Sequence, residues 1–338
     1  MKLKALLLGS AAAMIAVSGA QAADAVVAEP EPMEFVKVCD TYGAGFFFIP
    51  GTETCLRISG YVRVEYIYTD NDGSDSYDWR YRTRLNFDAR NETDYGTLRS
   101  QIRLQADGNG GSSGPLNTVT DSNGDTHSFG DARVGIDRAL ISLGGLRLGY
   151  SDSYVTTLHG YGLPVAIYDG NYNYDQAIFL DYTYSANGFS ATVGVQDSTG
   201  ADAGAPDLYA GASYGGSWGV VAASLIYDNS ADEVAYKVSA QLNLIENLTV
   251  KAWYMADDGT TQYVDFGDYG WGVGASYTFD DVTVYAGYTD GDAASGAEYG
   301  VVGLNWNVAT GLRVQPEVRF FTDDLDRTDY RLRVVRSF

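Results

Sequence analysis

The stretch Leu56-Arg57-Ile58-Ser59-Gly60-Tyr61-Val62-Arg63-Val64-Glu65-Tyr66 decides the fold, because apolar and polar residues alternate along it. Its even positions are apolar or glycine, and its odd positions are mostly polar or charged. The same period of two returns in Trp79–Arg90 and in Leu98–Ala106. This period is typical of β-strands. The segments run about ten residues, the length of a tilted strand that crosses a bilayer.

The polar face of these strands is basic, although the chain as a whole is acidic. It holds 22 Lys and Arg against 44 Asp and Glu. Side chains on one face of a strand repeat about every 6.6 Å, and neighbouring strands lie about 4.8 Å apart, so the guanidinium groups form a two-dimensional patch. The patch consists of Arg57, Arg63, Arg80, Arg82, Arg84, Arg90, Arg99 and Arg103.

Two interpretations of this patch are open: the wall of an aqueous pore, or a soluble surface that binds an anionic partner. The opposite face of the strands is uniformly lipid-like, which favours the pore. On this interpretation the basic wall of the pore is formed by Arg57, Arg63, Arg80, Arg82, Arg84, Arg99 and Arg103.

Residues 1–22 have the pattern of a cleaved secretory signal. Lys2 and Lys4 precede an apolar run from Ala5 to Val17, and Ala20-Gln21-Ala22 gives an A-x-A cleavage site. No later stretch approaches eighteen consecutive apolar residues, so we expect no membrane-spanning helix. Secretion combined with β-alternation indicates the outer membrane of a Gram-negative bacterium.

Residues 23–55 do not alternate, and we predict that they form an N-terminal segment on the periplasmic side of a barrel that occupies residues 56–338. Cys39 and Cys55 are the only cysteines. In an exported chain such a pair most simply forms a disulfide. Two cysteines and two distant histidines are too few ligands for a metal site, and none is expected.

Later segments continue the strand pattern, and with the three above they give a total of sixteen, an even number as bacterial single-chain barrels require. They are Val134–Leu143, Leu146–Tyr150, Gln176–Ser185, Phe189–Gln196, Asp207–Tyr214, Trp218–Tyr227, Glu233–Leu244, Leu248–Met255, Tyr269–Phe279, Val282–Thr289, Ala297–Val308, Leu312–Phe320 and Asp329–Phe338. Short and long connections alternate between them, as in barrels with brief periplasmic turns and longer external loops.

Two residues conflict with this pattern. Pro316 lacks the backbone donor that a strand interior needs, and a β-bulge there would absorb the loss. Arg336 departs from the alternation that runs through Leu332, Val334 and Phe338. Near the end of a strand its side chain could extend to the membrane interface.

The opening Val38–Arg57, followed by Gly60-Tyr61-Val62-Arg63, closely resembles the porins of alphaproteobacteria such as Brucella and Rhizobium. The signal sequence, Leu143–Gly149, Gln315–Val318 and the terminal Arg336-Ser337-Phe338 are similar to theirs too. The resemblance spans the chain and is looser in the loops. It implies a sixteen-stranded, trimeric general-diffusion porin, in which Phe338 belongs to a C-terminal insertion signal.

The long connection Ser151–Asp175 follows the fifth strand, and the resemblance implies that it is an inward-folded constriction loop. It contains Asp152, Asp169 and Asp175 but no Lys or Arg. Facing the basic wall across the lumen, these carboxylates would create a transverse field that favours small polar solutes. The alternative is a solvated external loop. Asp107–Gly130 is a rival occupant of the lumen, but its glycine-rich centre predicts a mobile surface loop.

Motifs for catalysis and cofactor binding are missing. Asp70–Tyr81 begins like a calcium loop, but it lacks the required Gly and Glu. We find no zinc spacing, phosphate-binding glycine loop or nucleophile elbow, so neither an enzyme nor a cofactor is expected. The acidic balance argues against nucleic acid as a partner.

The sequence therefore predicts an all-β, 16-stranded antiparallel transmembrane β-barrel with an inward-folded constriction loop. Its predicted function is passive diffusion of ions and small hydrophilic solutes across the outer membrane. The partners are outer-membrane lipid and, as the resemblance implies, two further copies in a homotrimer. A substrate-selective channel, for example for oligosaccharides, is the first alternative, with Tyr61, Tyr209, Trp253 and Tyr285 as possible aromatic contacts. A structural or adhesive barrel with a plugged lumen is the second.

Overall fold

The architecture is that of a computed structural model, whose elements all lie within Val38–Phe338. The predicted signal sequence and Asp175 lie outside the described part of the chain. In that part, no helix is long and apolar enough to cross a membrane. The described residues are 37–109, 117–120, 126–129, 134–170, 176–197, 204–258, 261–264, 267–292, 298–322 and 326–338.

Most of the described chain is β-strand, because the two-residue period persists almost to the end of the sequence. A 3-10 turn at Asp40–Tyr42 and the short strand β1 (Phe47–Phe48) come before the ring. The ring consists of β2 (Cys55–Asn71), β3 (Ser76–Thr93), β4 (Gly96–Asn109), β7 (Gly135–Leu143), β8 (Leu146–Asp152), β9 (Gln176–Ala186), β10 (Phe189–Asp197), β11 (Asp207–Gly216), β12 (Gly219–Asp228), β13 (Glu233–Ile245), β14 (Leu248–Ala256), β15 (Tyr269–Phe279), β16 (Val282–Gly291), β17 (Tyr299–Ala309), β18 (Leu312–Phe321) and β19 (Arg327–Ser337). A separate hairpin of β5 (Asn117–Thr120) and β6 (Thr126–Phe129) lies between β4 and β7.

The ring closes on itself as a barrel. Each strand pairs antiparallel with the next strand of the ring, and β19 pairs with β2, with Val334 opposite Val64. The predicted sixteen-stranded antiparallel barrel is therefore confirmed. We call the end that carries brief turns such as Gly144-Gly145 the short-turn end, and the opposite end the long-loop end.

Strand boundaries match the prediction closely, except that β2 and β3 are longer than expected. They span 17 and 18 residues, because backbone pairing continues past the apolar band into polar residues such as Thr69 and Ser76. A β-ladder needs only backbone donors and acceptors, so its ends carry no signal in the apolar pattern.

The two faces of each strand meet different surroundings. On β2, Val62 is 46% exposed and faces outward, whereas the neighbouring inward residue Glu65 is only 3% exposed. This arrangement is the inverse of that in a soluble protein, because the apolar side chains lie outside. It continues on β9, where Ile178, Leu180 and Tyr182 are exposed. Such an apolar outer surface is suited to lipid.

Pro316 is accommodated without the bulge that the sequence suggested. It faces outward and pairs continuously with Leu332 of β19. The ladder to β17 is instead interrupted between Gly303–Glu317 and Trp306–Val314, with no change of register there. The only register shift between these two strands lies at Asn307–Ala309, near the turn. A local gap in hydrogen bonding thus replaces the expected bulge.

The predicted disulfide between Cys39 and Cys55 is present, with the two Cα atoms 6.0 Å apart. Both cysteines are buried together with Phe46. The Arg57 guanidinium lies 4.8 Å from the centre of the Phe46 ring, and that of Arg90 lies 5.0 Å from it. The disulfide therefore fastens the N-terminal segment to the short-turn end, beside inward-facing arginines.

Candidate functional site

The segment after β8 turns into the barrel and forms a short helix, α1 (Tyr154–His159). Ser153 is its N-cap, and its hydroxyl accepts a hydrogen bond from the Thr156 amide at 3.3 Å. Gly160 ends the helix with φ at 64°, a conformation in which glycine meets no steric penalty. The segment is thus shaped by its own sequence before it contacts the wall.

The helix packs against the inner faces of β11, β12 and β13. The Tyr154 ring stacks on Tyr209 with ring centres 4.9 Å apart. This approach requires Gly211, because a Cβ there would lie 2.8 Å from the Tyr154 ring. His159 is hydrogen-bonded between two wall hydroxyls, with Nδ1 2.7 Å from Ser239 Oγ and Nε2 3.0 Å from Ser224 Oγ.

Beyond the helix, the segment continues along β14 to β18. Lys251 of β14 donates to the Tyr161 carbonyl. Leu163 fits against Gly274 and Gly287, where a Cβ would come within 3.0 Å and 2.7 Å of its methyl groups. Asn305 of β17 donates to the Val165 carbonyl at 3.3 Å. The predicted inward-folded loop is therefore confirmed for its described residues 153–170.

The loop reaches its far anchor at Glu317 on β18. Both carboxylate oxygens accept backbone hydrogen bonds, from the Ile167 amide at 2.6 Å and from the Tyr168 amide at 2.8 Å. The Tyr285 hydroxyl donates to the same carboxylate at 2.8 Å. Glu317 is only 2% exposed, so these donors replace the water that a buried carboxylate needs. We call this arrangement the Glu317 anchor.

Behind the loop, part of the barrel interior is filled by a cluster of buried, mostly apolar side chains. Side chains from the loop, from β7, β9 and β11–β14, and from the connection 261–264 pack together there. They are Leu140, Tyr154, Val155, Phe179, Tyr209, Ile226, Ala235, Trp253, Met255, Tyr263 and Val264. Neither this packing nor the inward position of residues 261–264 was predicted from the sequence. We call this region the packed side of the lumen.

The seven arginines of the predicted basic wall lie on the inward phase of β2, β3 and β4. Each forms an ion pair with a carboxylate on or beside the same wall. The pairs are Arg57–Asp88, Arg63–Glu65, Arg80–Asp78, Arg82–Asp107, Arg84–Asp137, Arg99–Asp88 and Arg103–Asp152. The wall is therefore a network of paired charges and not the bare basic patch that the arginine pattern alone suggests.

Five carboxylates of this network were not among the predicted site residues, although four of them share the alternation phase of neighbouring arginines. Asp78 and Asp88 lie on β3 in phase with Arg80 and Arg90, and Glu65 lies on β2 in phase with Arg63. Their phase identifies them as inward-facing. Asp107 is the fourth carboxylate in phase with the arginines, on β4. The fifth, Asp137, breaks the alternation and faces inward because of a bulge.

A β-bulge on β7 places two opposite charges side by side. Arg103 pairs with Arg138 and Leu104 with Ile136, so Asp137 is the extra residue between them. Asp137 contacts Arg103, and Arg138 lies 3.1 Å from Asp152. A bulge redirects neighbouring side chains in this way. Strict alternation would have turned one of the two charges toward the lipid.

The three predicted loop carboxylates have different positions. Asp152 is 2% exposed and lies 3.1 Å from Arg103, so it belongs to the basic wall and does not face it across the lumen. Asp169 is half-buried on the loop and interacts electrostatically with Lys237 and Lys251. Asp175 lies outside the described residues.

Burial and two neighbouring cations, Lys237 and Lys251, lower the pKa of His159 to about 3. The folded loop therefore holds this imidazole neutral, and protonation opposes the packing of α1. Since the folded pKa lies below the ordinary value of about 6.5, the stability that the neutral ring contributes is complete above pH 6.5 and is lost as the pH falls toward 3.

We expect the single-channel current to be steady at pH 7 and to fluctuate increasingly as the pH falls from 6.5 to 4. His159→Gln has no proton to gain at this position, so its current should change less over the same range. Planar-bilayer recordings of both proteins in one buffer series measure this. Equal acid sensitivity of the two proteins would contradict the assignment to His159.

Comparison with known proteins agrees with this architecture. Residues 24–332 match the Porin subfamily. The chain is 36% identical over 352 residues to the porin Omp2b of Brucella canis, across 95% of this chain and 92% of that protein. It is 35% identical over 354 residues to the porin Omp2b of Brucella melitensis, with the same coverage.

Solved structures share the fold at low sequence identity. A triple mutant of the Rhodopseudomonas blastica porin superposes with a TM-score of 0.57 at 17% identity and covers 84% of this chain and 100% of its own. Another variant of the blastica porin gives a TM-score of 0.58 at 17% identity with the same coverage. These similarities support the barrel alone. The sequence matches carry the assignment further: the chain belongs to the Porin subfamily and forms an outer-membrane porin channel.

Proposed function

We propose that the protein is a general-diffusion porin, in which ions and small hydrophilic solutes pass down their gradients between the loop and the basic wall. One observation carries this proposal. The loop packs against strands between β11 and β18, whereas the basic wall lies on β2, β3 and β4, flanked by Asp137 and Arg138 of β7 and by Arg331 and Arg333 of β19. Solutes therefore take an off-centre route along the arginines.

The proposed site residues follow from this division. Arg63, Arg82, Arg84 and Arg103 would line the narrow part of the route, and Arg57 and Arg99 its short-turn end. Asp169 is the loop carboxylate proposed to act at the constriction, since Asp152 is already paired within the wall. Because solutes would move down their own concentration gradients, no energy source is required.

The proposed orientation places the short-turn end in the periplasm of a Gram-negative cell. Brief turns on that side and longer connections outside are the general arrangement of outer-membrane barrels. The disulfide segment would then lie on the periplasmic side of the pore. We also propose a homotrimer, in which part of the apolar outer surface is covered by neighbouring subunits.

The oligosaccharide-channel alternative gains no support from the aromatic residues that suggested it. Tyr209, Trp253 and Tyr285 are each 4% exposed, the first two in the packed side of the lumen and the third beneath the loop at the Glu317 anchor. Only Tyr61 lies on the basic wall, with the Arg84 guanidinium 5.5 Å from its ring centre. A row of accessible rings along the route is therefore not formed by these four residues.

The proposal is tested by single-channel conductance of the refolded mature protein in a planar bilayer with a salt gradient. We expect stepwise, ohmic openings. In Arg82→Ala and Arg84→Ala the reversal potential should move toward cations, because Asp107 and Asp137 lose a cationic partner. Arg336→Ala, which removes an arginine from the outer face, should leave it unchanged.

Two other outcomes are informative. If the channel opens but its reversal potential is unchanged in both wall variants, the porin function stands and other residues determine the ion selectivity. A correctly folded barrel that never conducts would contradict the porin proposal and favour a structural role.

A further inference from the structure

The charges along the basic wall are not evenly balanced. Around Glu65, three guanidinium groups converge on one carboxylate: Arg63 Nε lies 3.0 Å from Glu65 Oε1, Arg331 Nη1 lies 3.9 Å from Oε2, and Arg333 donates to Oε1. Each guanidinium carries five N–H donors, and a carboxylate has only two oxygens. Much of the donor capacity of this cluster is therefore not used by Glu65.

This cluster lines a recess of about 320 Å³. Its lining contains five arginines and two carboxylates, an excess of three positive charges, and Asp78 beside Arg80 reduces the excess to two. The volume is near the lower end of small-molecule sites. The lining residues are Arg63, Glu65, Arg80, Tyr81, Arg82, Asp107, Gly108, Arg331 and Arg333.

Two arginines of the recess, Arg331 and Arg333, are largely buried and held in place. The Arg331 side chain is 8% exposed and that of Arg333 is 16% exposed. The Arg331 guanidinium lies 3.8 Å from the centre of the Tyr168 ring, which the Glu317 anchor fixes. Positive charges that are fixed and partly removed from water attract anions more strongly than mobile surface charges do.

Elsewhere in the lumen, Arg147 forms an ion pair in which the positive and negative charges balance. Arg147 makes two hydrogen bonds to Asp181, at 2.9 Å and 2.5 Å, and Tyr209 donates to the same carboxylate. One arginine there faces one carboxylate, so no charge is left over. The recess differs from this pair in its surplus of guanidinium groups.

We propose that the recess is a transient binding site for small oxyanionic solutes, whose phosphate or carboxylate group would be held by Arg331, Arg333 and Arg63. Paired N–H donors of arginine match the geometry of both groups. This inference rests on the proposed diffusion route, because the recess lies on that route. It assigns the channel a preference for anions.

The test measures reversal potential and blockade in planar bilayers. Recordings in 1 M KCl gradients reduce the Debye length to about 3 Å, so acidic external loops contribute little. We expect the wild-type channel to prefer chloride and to show brief blockades by inorganic pyrophosphate. In Arg331→Gln/Arg333→Gln the reversal potential should move toward potassium. The half-blocking concentration should rise about ten-fold or more, since charge-assisted hydrogen bonds are lost.

Two further variants separate the site from general effects. Glu65→Gln removes the carboxylate that competes for the arginines, so it should strengthen both chloride preference and blockade. Arg336→Gln lies on the same strand but faces outward, and it should match the wild type. Retained heat-modifiable migration on gels would establish that each barrel is folded.

Each contrary outcome has its own meaning. A conducting wild-type channel that prefers potassium and is not blocked would overturn the anion site while leaving the porin function intact. A double variant that matches the wild type would overturn the assignment to these arginines. A folded barrel without conductance would instead contradict the proposed function itself.

Discussion

Replacement of Glu317 by alanine should release the constriction loop and raise the single-channel conductance, with larger current fluctuations. The change removes the shared acceptor of the Ile167 and Tyr168 amides. A buried donor left without a partner costs about 1–3 kcal/mol. A combined loss of about 3 kcal/mol would shift the balance between anchored and released loop about 100-fold. Conductance histograms measure the effect.

Graded controls distinguish anchoring from a general effect of charge. Tyr285→Phe removes one of the three donors to Glu317 and should have a smaller effect in the same direction. Glu298→Ala also removes a carboxylate that accepts a tyrosine hydroxyl, that of Tyr288, but at the long-loop end. It should leave the conductance near the wild-type value. A Glu317→Ala channel with unchanged current would show that the other contacts of the loop are enough to hold it in place.

Replacement of Arg103 by methionine should destabilise the barrel by about 3 kcal/mol, the scale for breaking a buried ion pair. Arg103 is 7% exposed, and it pairs with both Asp137 and Asp152. Without it, the buried carboxylate of Asp152 and the largely buried carboxylate of Asp137 lose their central cation, although Arg84 and Arg138 still contact them. The urea midpoint of the refolded protein in lipid vesicles, followed by tryptophan fluorescence, measures the loss.

Arg80→Met is the matched control for burial. Arg80 lies on the same wall and contacts Asp78 at 2.6 Å, but its side chain is 53% exposed. Solvent screening reduces such a pair to less than about 1 kcal/mol. The two variants should therefore differ clearly in their urea midpoints. Equal midpoints would mean that burial of the Arg103 network contributes little to stability.

The barrel was predictable because its signal is local. Lipid outside and water inside impose a two-residue period on each strand separately, so strands such as Tyr269–Phe279 could be located without knowing their partners. The conflict at Pro316 was also visible in the sequence. How the structure accommodates Pro316 could not be predicted, because the sequence of one strand does not distinguish a gap in one ladder from a bulge.

The site was predictable only in part, because its chemistry depends on pairing between strands. The inward phase of Arg103 was visible, but its proximity to Asp152, 49 residues later, is set by the order of the ring. The bulge at Asp137 breaks the phase rule on which the prediction relied. Arg331 and Arg333 were missed because they lie on the last strand, next to β2 only after the ring closes.

The loop anchor was the least predictable feature. Glu317 is one carboxylate among many, and its importance comes from two backbone amides far away in the sequence. Gly274 and Gly287 likewise look like ordinary strand glycines until Leu163 is placed against them. Nothing in a period of two distinguishes a residue that faces water from one that faces a folded loop.

The packed side of the lumen also affects how the chain behaves before the barrel is complete. On β12 the inward Ala222 and Ile226 are 8% and 2% exposed and the outward Leu225 is 57% exposed, so apolar residues occupy both faces of the strand. Gly219–Tyr227 contains neither a charged residue nor a proline, which is the composition of aggregation-prone segments. In an unfolded chain on its way to the membrane, this segment can pair with other copies of itself. The apolar packing that narrows the finished pore thus creates a need to shield β12 until β11 and β13 have paired with it.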